Sequence, residues 1–136
     1  MWVFTKDGFF SAVWDRDCRG DEVTIRAQSR TDLTRLIKKL SGYCEPNDII
    51  ENFGTDYRFR VQIPKHSWST YLADCALRID YSRVKDHIDP GDDPDRTDAY
   101  YRIYETLYRW RSRMDAAEHG RSGERGGIRL PLRWKR

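Results

Sequence analysis

The sequence predicts an α+β fold: a two-layer sandwich whose mostly antiparallel, four-stranded sheet carries helices on one face, a ferredoxin-like variant being one compatible arrangement. Three observations carry that expectation. Residues 23–28 and 57–63 alternate apolar and polar side chains, the period of a strand with one buried face. Residues 33–40 and 68–79 switch to helical spacing. The 136 residues are 38 % hydrophobic and 13 % aromatic, enough for one domain with a real core and too short a chain for two.

Taken in order, residues 1–5 and 9–14 are short aromatic and β-branched runs around Lys6-Asp7-Gly8. Asp-Gly is a hairpin signal, because glycine accepts the positive φ of a tight turn. A third strand follows at 22–28, with Val23, Ile25 and Ala27 facing inward. Ser29, Thr31 or Asp32 then caps a helix whose buried stripe is Leu33, Leu36, Ile37 and Leu40. Asp32 near its start and Lys38 and Lys39 near its end suit the helix dipole. Residues 43–55 read as a connection in which Ile49, Ile50 and Phe53 touch the core. The fourth strand spans 56–63 with Tyr57, Phe59, Val61 and Ile63 inward, and Pro64 ends it by removing a backbone donor. A helix over about 65–80 sets Trp68, Leu72, Cys75 and Ile79 on one side. A loop from 83 to 98 leads to a last helix reaching about 117, with Tyr100, Ile103, Tyr104, Leu107 and Met114 inward.

Charge divides the chain unevenly. The formal net charge is +3, yet residues 109–136 hold nine Lys or Arg against three Asp or Glu, leaving sixteen basic and nineteen acidic groups before them. The basic signal therefore belongs to the C-terminus. Glycines at 120, 123, 126 and 127 mark residues 119–136 as a flexible basic tail after a domain of 1–118, with Arg121, Arg125, Arg129, Arg133, Lys135 and Arg136 as its cations. Cys18, Cys44 and Cys75 lack the spacing of a zinc or redox motif, and no stretch reaches transmembrane length. A cytoplasmic protein is expected. The six aspartates of residues 86–98 miss the EF-hand spacing and read as a solvated acidic loop. No metal and no cofactor is expected.

Candidate chemistry lies on the outward side of the strands. Arg26, Arg58 and Arg60 project from one face of a sheet if the two apolar faces meet the helices, and guanidinium forks suit phosphate or carboxylate. Tyr57, Phe59 and Val61 alternate with those arginines, so one face is not expected to offer both stacking rings and cations, which lowers an RNA-recognition reading. Asp56, Tyr57, Asp80, Tyr81 and Lys85 form polar groups at the two ends of the 56–81 unit. His66, His87 and His119 have no ligand or catalytic spacing, and no glycine-rich phosphate loop or nucleophile elbow occurs. No catalytic residue is assigned.

Four segments, MWVFTKDGFFSAVW, VTIRAQSRTDLTRL, FGTDYRFR and IDYSRVKD, resemble in kind and order a widespread set of small uncharacterised bacterial and phage proteins. The resemblance covers residues 1 to about 110, and departs where Val84 stands in place of the family's Phe. It implies a compact intracellular domain and draws attention to Arg26, Asp56, Tyr57, Arg60, Asp80, Tyr81 and Lys85. It implies no activity. The expected function is that of a binding or adaptor protein with a protein or acidic-surface partner, a homodimer included. The alternative is a nucleic-acid-associated protein that contacts phosphates through Arg26, Arg58, Arg60 and the basic tail.

Overall fold

The computed structural model, which describes residues 1–40, 42–87 and 95–121, opens on a hairpin. Strands β1 (Trp2–Thr5) and β2 (Gly8–Val13) pair antiparallel with Thr5 opposite Gly8, so Lys6 and Asp7 alone make the turn. Gly8 is the first residue of β2 and takes a positive φ of +155°, as the Asp-Gly signal expects. Glycine is needed there for a second reason. A Cβ at Gly8 would overlap the Asp32 carboxyl group, which approaches the backbone at that point.

Strand β3 (Glu22–Ala27) lies between β2 and β5 (Phe59–Pro64), and the two-residue β4 (Ile50–Glu51) borders β5. The sheet order is β1-β2-β3-β5-β4, and all four pairings are antiparallel. The sheet thus has five strands instead of the expected four, because a two-residue strand is too short to show an alternation. In a ferredoxin-like sheet a helix joins two strands that run parallel with another strand between them; here β3 and β4 are joined through helix α1 and separated by β5, which is antiparallel to both.

Helix α1 (Arg30–Lys39) starts from Ser29, whose hydroxyl accepts from the Thr31 backbone N–H. Its predicted stripe is buried as expected, with Leu33, Leu36, Ile37 and Leu40 packed against β2, β3 and β5. Helix α2 (Lys65–Leu77) follows directly on Pro64 and packs against β3 and β5. Both helices meet the face formed by Phe10, Ala12, Val23, Ile25, Ala27, Phe59, Val61 and Ile63, which is the core. The α2 stripe is rotated from the expected one. Trp68 and Tyr71 are buried, Leu72 and Cys75 pack partly against the core, and the helix stops at Leu77, leaving Ile79 exposed. Tyr71 is drawn inward by polar partners for its hydroxyl, which periodicity in apolar residues does not register. In the connection, Ile49 is buried, but Ile50 and Phe53 are exposed.

Two units divide the chain, Met1–Asp98 and Ala99–Arg136. Helix α3 (Arg96–Arg121) crosses that division. Along its second part Tyr104, Leu107 and Met114, expected inward, are exposed, as are Tyr101, Tyr108 and Trp110. Helical spacing places side chains on a common side of the helix; it does not supply a surface to cover them. No helix of the described residues is long and apolar enough to cross a membrane.

Candidate anion-binding row across the sheet

Strand register decides which outward residues meet. Trp2 is opposite Ser11, Ser11 opposite Arg26, Arg26 opposite Arg60, and Arg60 opposite Ile50. Directly opposed residues of antiparallel neighbours point to the same face, so these five side chains form one row across all five strands, on the face away from α1 and α2. The row is apolar at both ends, where Trp2 is 71 % and Ile50 53 % exposed. Its middle is a pair of arginines.

Each guanidinium is positioned by neighbours. Arg26 donates from Nη2 to the Ser11 hydroxyl at 2.9 Å and lies 4.6 Å from the centroid of the Tyr57 ring. Its Nη1 reaches the Asp56 carboxylate only at 3.5 Å. Arg60 donates from Nη2 to the Thr55 hydroxyl at 3.0 Å and to the Tyr57 carbonyl at 3.3 Å. Among the described residues no carboxylate pairs with Arg60. The Nε atoms of both arginines are shielded from solvent without an acceptor. Like charges directly opposite one another across a ladder are destabilising, and Asp56, with a side chain 67 % exposed, compensates them weakly.

Two of the expected neighbours are elsewhere. Arg58 pairs with Glu51 and stacks over Phe53 and Phe59, at 4.3 and 5.3 Å from their ring centroids. Tyr57, expected in the helix-side core, is buried against Phe9 and Arg26 instead. Both departures have one cause: β5 begins at Phe59, and strict alternation does not extend into the turn before it. The expectation that rings and arginines occupy separate faces also fails. Phe9 is packed with Trp2, Phe4 and Tyr57, beside Arg26. The extra rings come from β1 and β2, whose neighbourhood with β3 the sequence did not reveal.

The second Asp-Tyr pair has its own partners. Lys6 donates to Asp80 at 2.6 Å and lies 4.7 Å from the Tyr81 ring centroid, and Tyr81 contacts the His87 ring. The hydrogen bond and charge of Lys6 hold the Asp80 carboxyl below the usual aspartate value. Asp56 and Asp80 therefore serve different cations. Lys85 lies in a single 3₁₀ turn, Val84–His87, its side chain outside the description. Arg121 closes α3, and Arg125, Arg129, Arg133, Lys135 and Arg136 lie outside the described residues, as do Asp89, Asp92 and Asp93.

A buried polar cluster that sequence reading missed sits under the first hairpin. Asp32 is 1 % and Arg96 4 % exposed, and their carboxylate and guanidinium form an ion pair. Asp32 also accepts from the Phe9 backbone N–H at 3.1 Å, and Arg96 donates to the Asp7 carbonyl at 3.2 Å. The Asp7 carboxylate takes Lys39 at 2.8 Å and the Tyr71 hydroxyl at 2.9 Å, with the Thr5 hydroxyl 2.9 Å from Tyr71. Burial, with Asp7 adding to it, pushes the Tyr71 hydroxyl well above the ordinary tyrosine value. The cluster pairs its charged members with one another and ties the hairpin turn to α1, α2 and the start of α3. It reads as a structural fastening. Among the described residues, no group of His, Cys, Asp and Glu is arranged to hold a metal.

No family model, no curated protein and no solved structure matches this chain.

Proposed function

We propose that this chain is a binding or adaptor module that captures an acidic protein partner on the row Trp2–Ser11–Arg26–Arg60–Ile50. The observation that carries the reading is the register pairing of Arg26 with Arg60, two cations with one exposed acid on Arg26 alone. A partner carboxylate there offsets a repulsion that the fold itself leaves standing. Exposed Trp2 and Ile50 at either end supply apolar contact, and tryptophan and arginine are the residues on which interfaces most often depend. The three cysteines are free, which suits a reducing compartment such as the cytoplasm.

A single-stranded nucleic acid is the second reading, favoured by one feature: Trp2 offers an exposed ring in the same row as the arginine pair. Two observations weigh against it. Arg58 is already neutralised by Glu51, and residues 1–108 carry sixteen basic against nineteen acidic groups, a field that repels a polyanion.

Fluorescence anisotropy with a labelled poly-glutamate peptide and, separately, a labelled single-stranded oligothymidylate tests both readings at low and physiological salt. Binding of poly-glutamate that disappears in the double variant Arg26→Gln/Arg60→Gln supports the proposal. Binding that survives the double variant overturns it.

A further inference from the structure

We propose that Asp56 is a built-in competitor of the arginine row, occupying the place of a partner's acidic side chain, and that the partner presents an extended segment of the form apolar-x-x-x-acidic-x-apolar. The inference rests on the reading that the row binds an acidic protein.

The turn at residues 52–57 is held firmly by everything except the Asp56 carboxylate. Gly54 takes φ +82°, a conformation that L side chains rarely adopt. The Thr55 hydroxyl lies 3.2 Å from the Asn52 carbonyl and 2.7 Å from the Tyr57 carbonyl, and Gln28 donates to the Asp56 carbonyl at 2.7 Å. The Asp56 side chain, by contrast, is 67 % exposed and touches Arg26 only at 3.5 Å. When that carboxylate swings away, Arg26 keeps Ser11 and the Tyr57 ring, and Arg60 keeps Thr55 and the Tyr57 carbonyl. The site is therefore preorganised without its internal acid. Asp56 engages Arg26 alone, whereas a carboxylate arriving from outside is free to lie between Arg26 and Arg60 and take a donor from each. That difference favours exchange.

The spacing of the segment follows from the sheet. Neighbouring strands are about 4.8 Å apart, and an extended chain advances about 3.3 Å per residue with alternate side chains on one side. The midpoint of the arginine pair is two and a half strand intervals from Trp2 and one and a half from Ile50, or roughly 12 Å and 7 Å. Those distances correspond to about four and two residues of extended chain. Both are even steps, so the two apolar side chains and the acid all face the row together.

The test uses the full chain and a fluorescein-labelled seven-residue peptide with leucine at positions 1 and 7, glutamate at position 5 and serine elsewhere. Asp56→Asn is expected to bind it about two- to fivefold more tightly, the range that loss of an exposed ion pair allows. Asp56→Ser is expected to do the same, and circular dichroism verifies that both variants are folded. Moving the glutamate to position 4 turns it away from the row, and affinity is expected to fall at least about tenfold. Unchanged or weaker binding by both Asp56 variants, with binding still lost in Arg60→Gln, overturns the competitor role and leaves the acidic-partner reading standing. Peptide binding indifferent to Arg26→Gln and Arg60→Gln overturns both. Row-dependent binding of oligothymidylate without binding of the peptide also overturns both, in favour of nucleic acid.

Discussion

Asp32 and Arg96 are each almost wholly removed from water and form an ion pair. Removing one partner of a buried pair strands the other charge in a poorly solvating interior. Asp32→Ala is accordingly expected to lower the unfolding free energy by about 3–5 kcal/mol, read from urea denaturation. Tyr71 makes a prediction of opposite character, visible only in alkali. Its folded-state ionisation lies above its unfolded value, so its contribution is complete below the unfolded pKa and is lost as pH rises beyond it. Above about pH 10, unfolding free energy should fall by about 1.4 kcal/mol per pH unit from this group. Urea denaturation of Tyr71→Phe across the same range should show that fall reduced. Neither role was legible in the sequence. Asp32 matches the ordinary pattern of an acid in a helix's first turn, and nothing in a linear pattern reports that Gly8, 24 residues away, has left room for its carboxylate.

At the scale of elements, patterns that depend only on neighbours in sequence were readable. Ser29 caps α1 and the α1 stripe is buried as its spacing predicts. Alternation also placed Val23, Ile25, Phe59, Val61 and Ile63 correctly. The same rule failed at Tyr57 and Arg58, because alternation holds only where a strand ladder imposes it and the ladder starts at Phe59. Helix α3 shows a second limit: Leu107, placed by spacing on an inward stripe, is 58 % exposed while Leu36 is 0 %. Leu36→Ala should therefore cost about 2–5 kcal/mol. Leu107→Gln should change the stability of the sheet-bearing unit by less than about 0.5 kcal/mol. Thermal unfolding followed by near-ultraviolet circular dichroism, which reports the buried Trp68 and Tyr71, separates the two.

For the whole molecule, the relevant contrast is between net charge and local charge. Residues 119–136 contain six basic side chains and one acidic one besides His119, so ending the chain at Glu118 takes the formal charge from +3 to −2. If the arginine row is the binding surface, that truncated chain should retain the Arg60-dependent affinity for an acidic peptide within about twofold. Weak, salt-sensitive association with polyanions in general should decline. Titration of both chains at two salt concentrations measures the difference. Composition alone would have assigned binding to the tail; the register of β3 with β5 shifts it to two arginines within a domain that is itself slightly acidic.

What the sequence determined by itself is the longer strands and helices and the buried faces of β3, β5 and α1, because helical and strand periods, caps and turn residues act between positions close in the chain. It also supplied Arg26 and Arg60 as outward cations. Only the tertiary structure decided that they stand opposite one another, that Arg58 does not join them, that Trp2 and Ile50 close the row, and that Asp32 belongs to Arg96. The row is set by strand order and register, and Asp32 and Arg96 meet from α1 and α3, far apart in the chain. A one-residue shift in register would send every side chain to the other face, and no local pattern in this chain states which strands are neighbours.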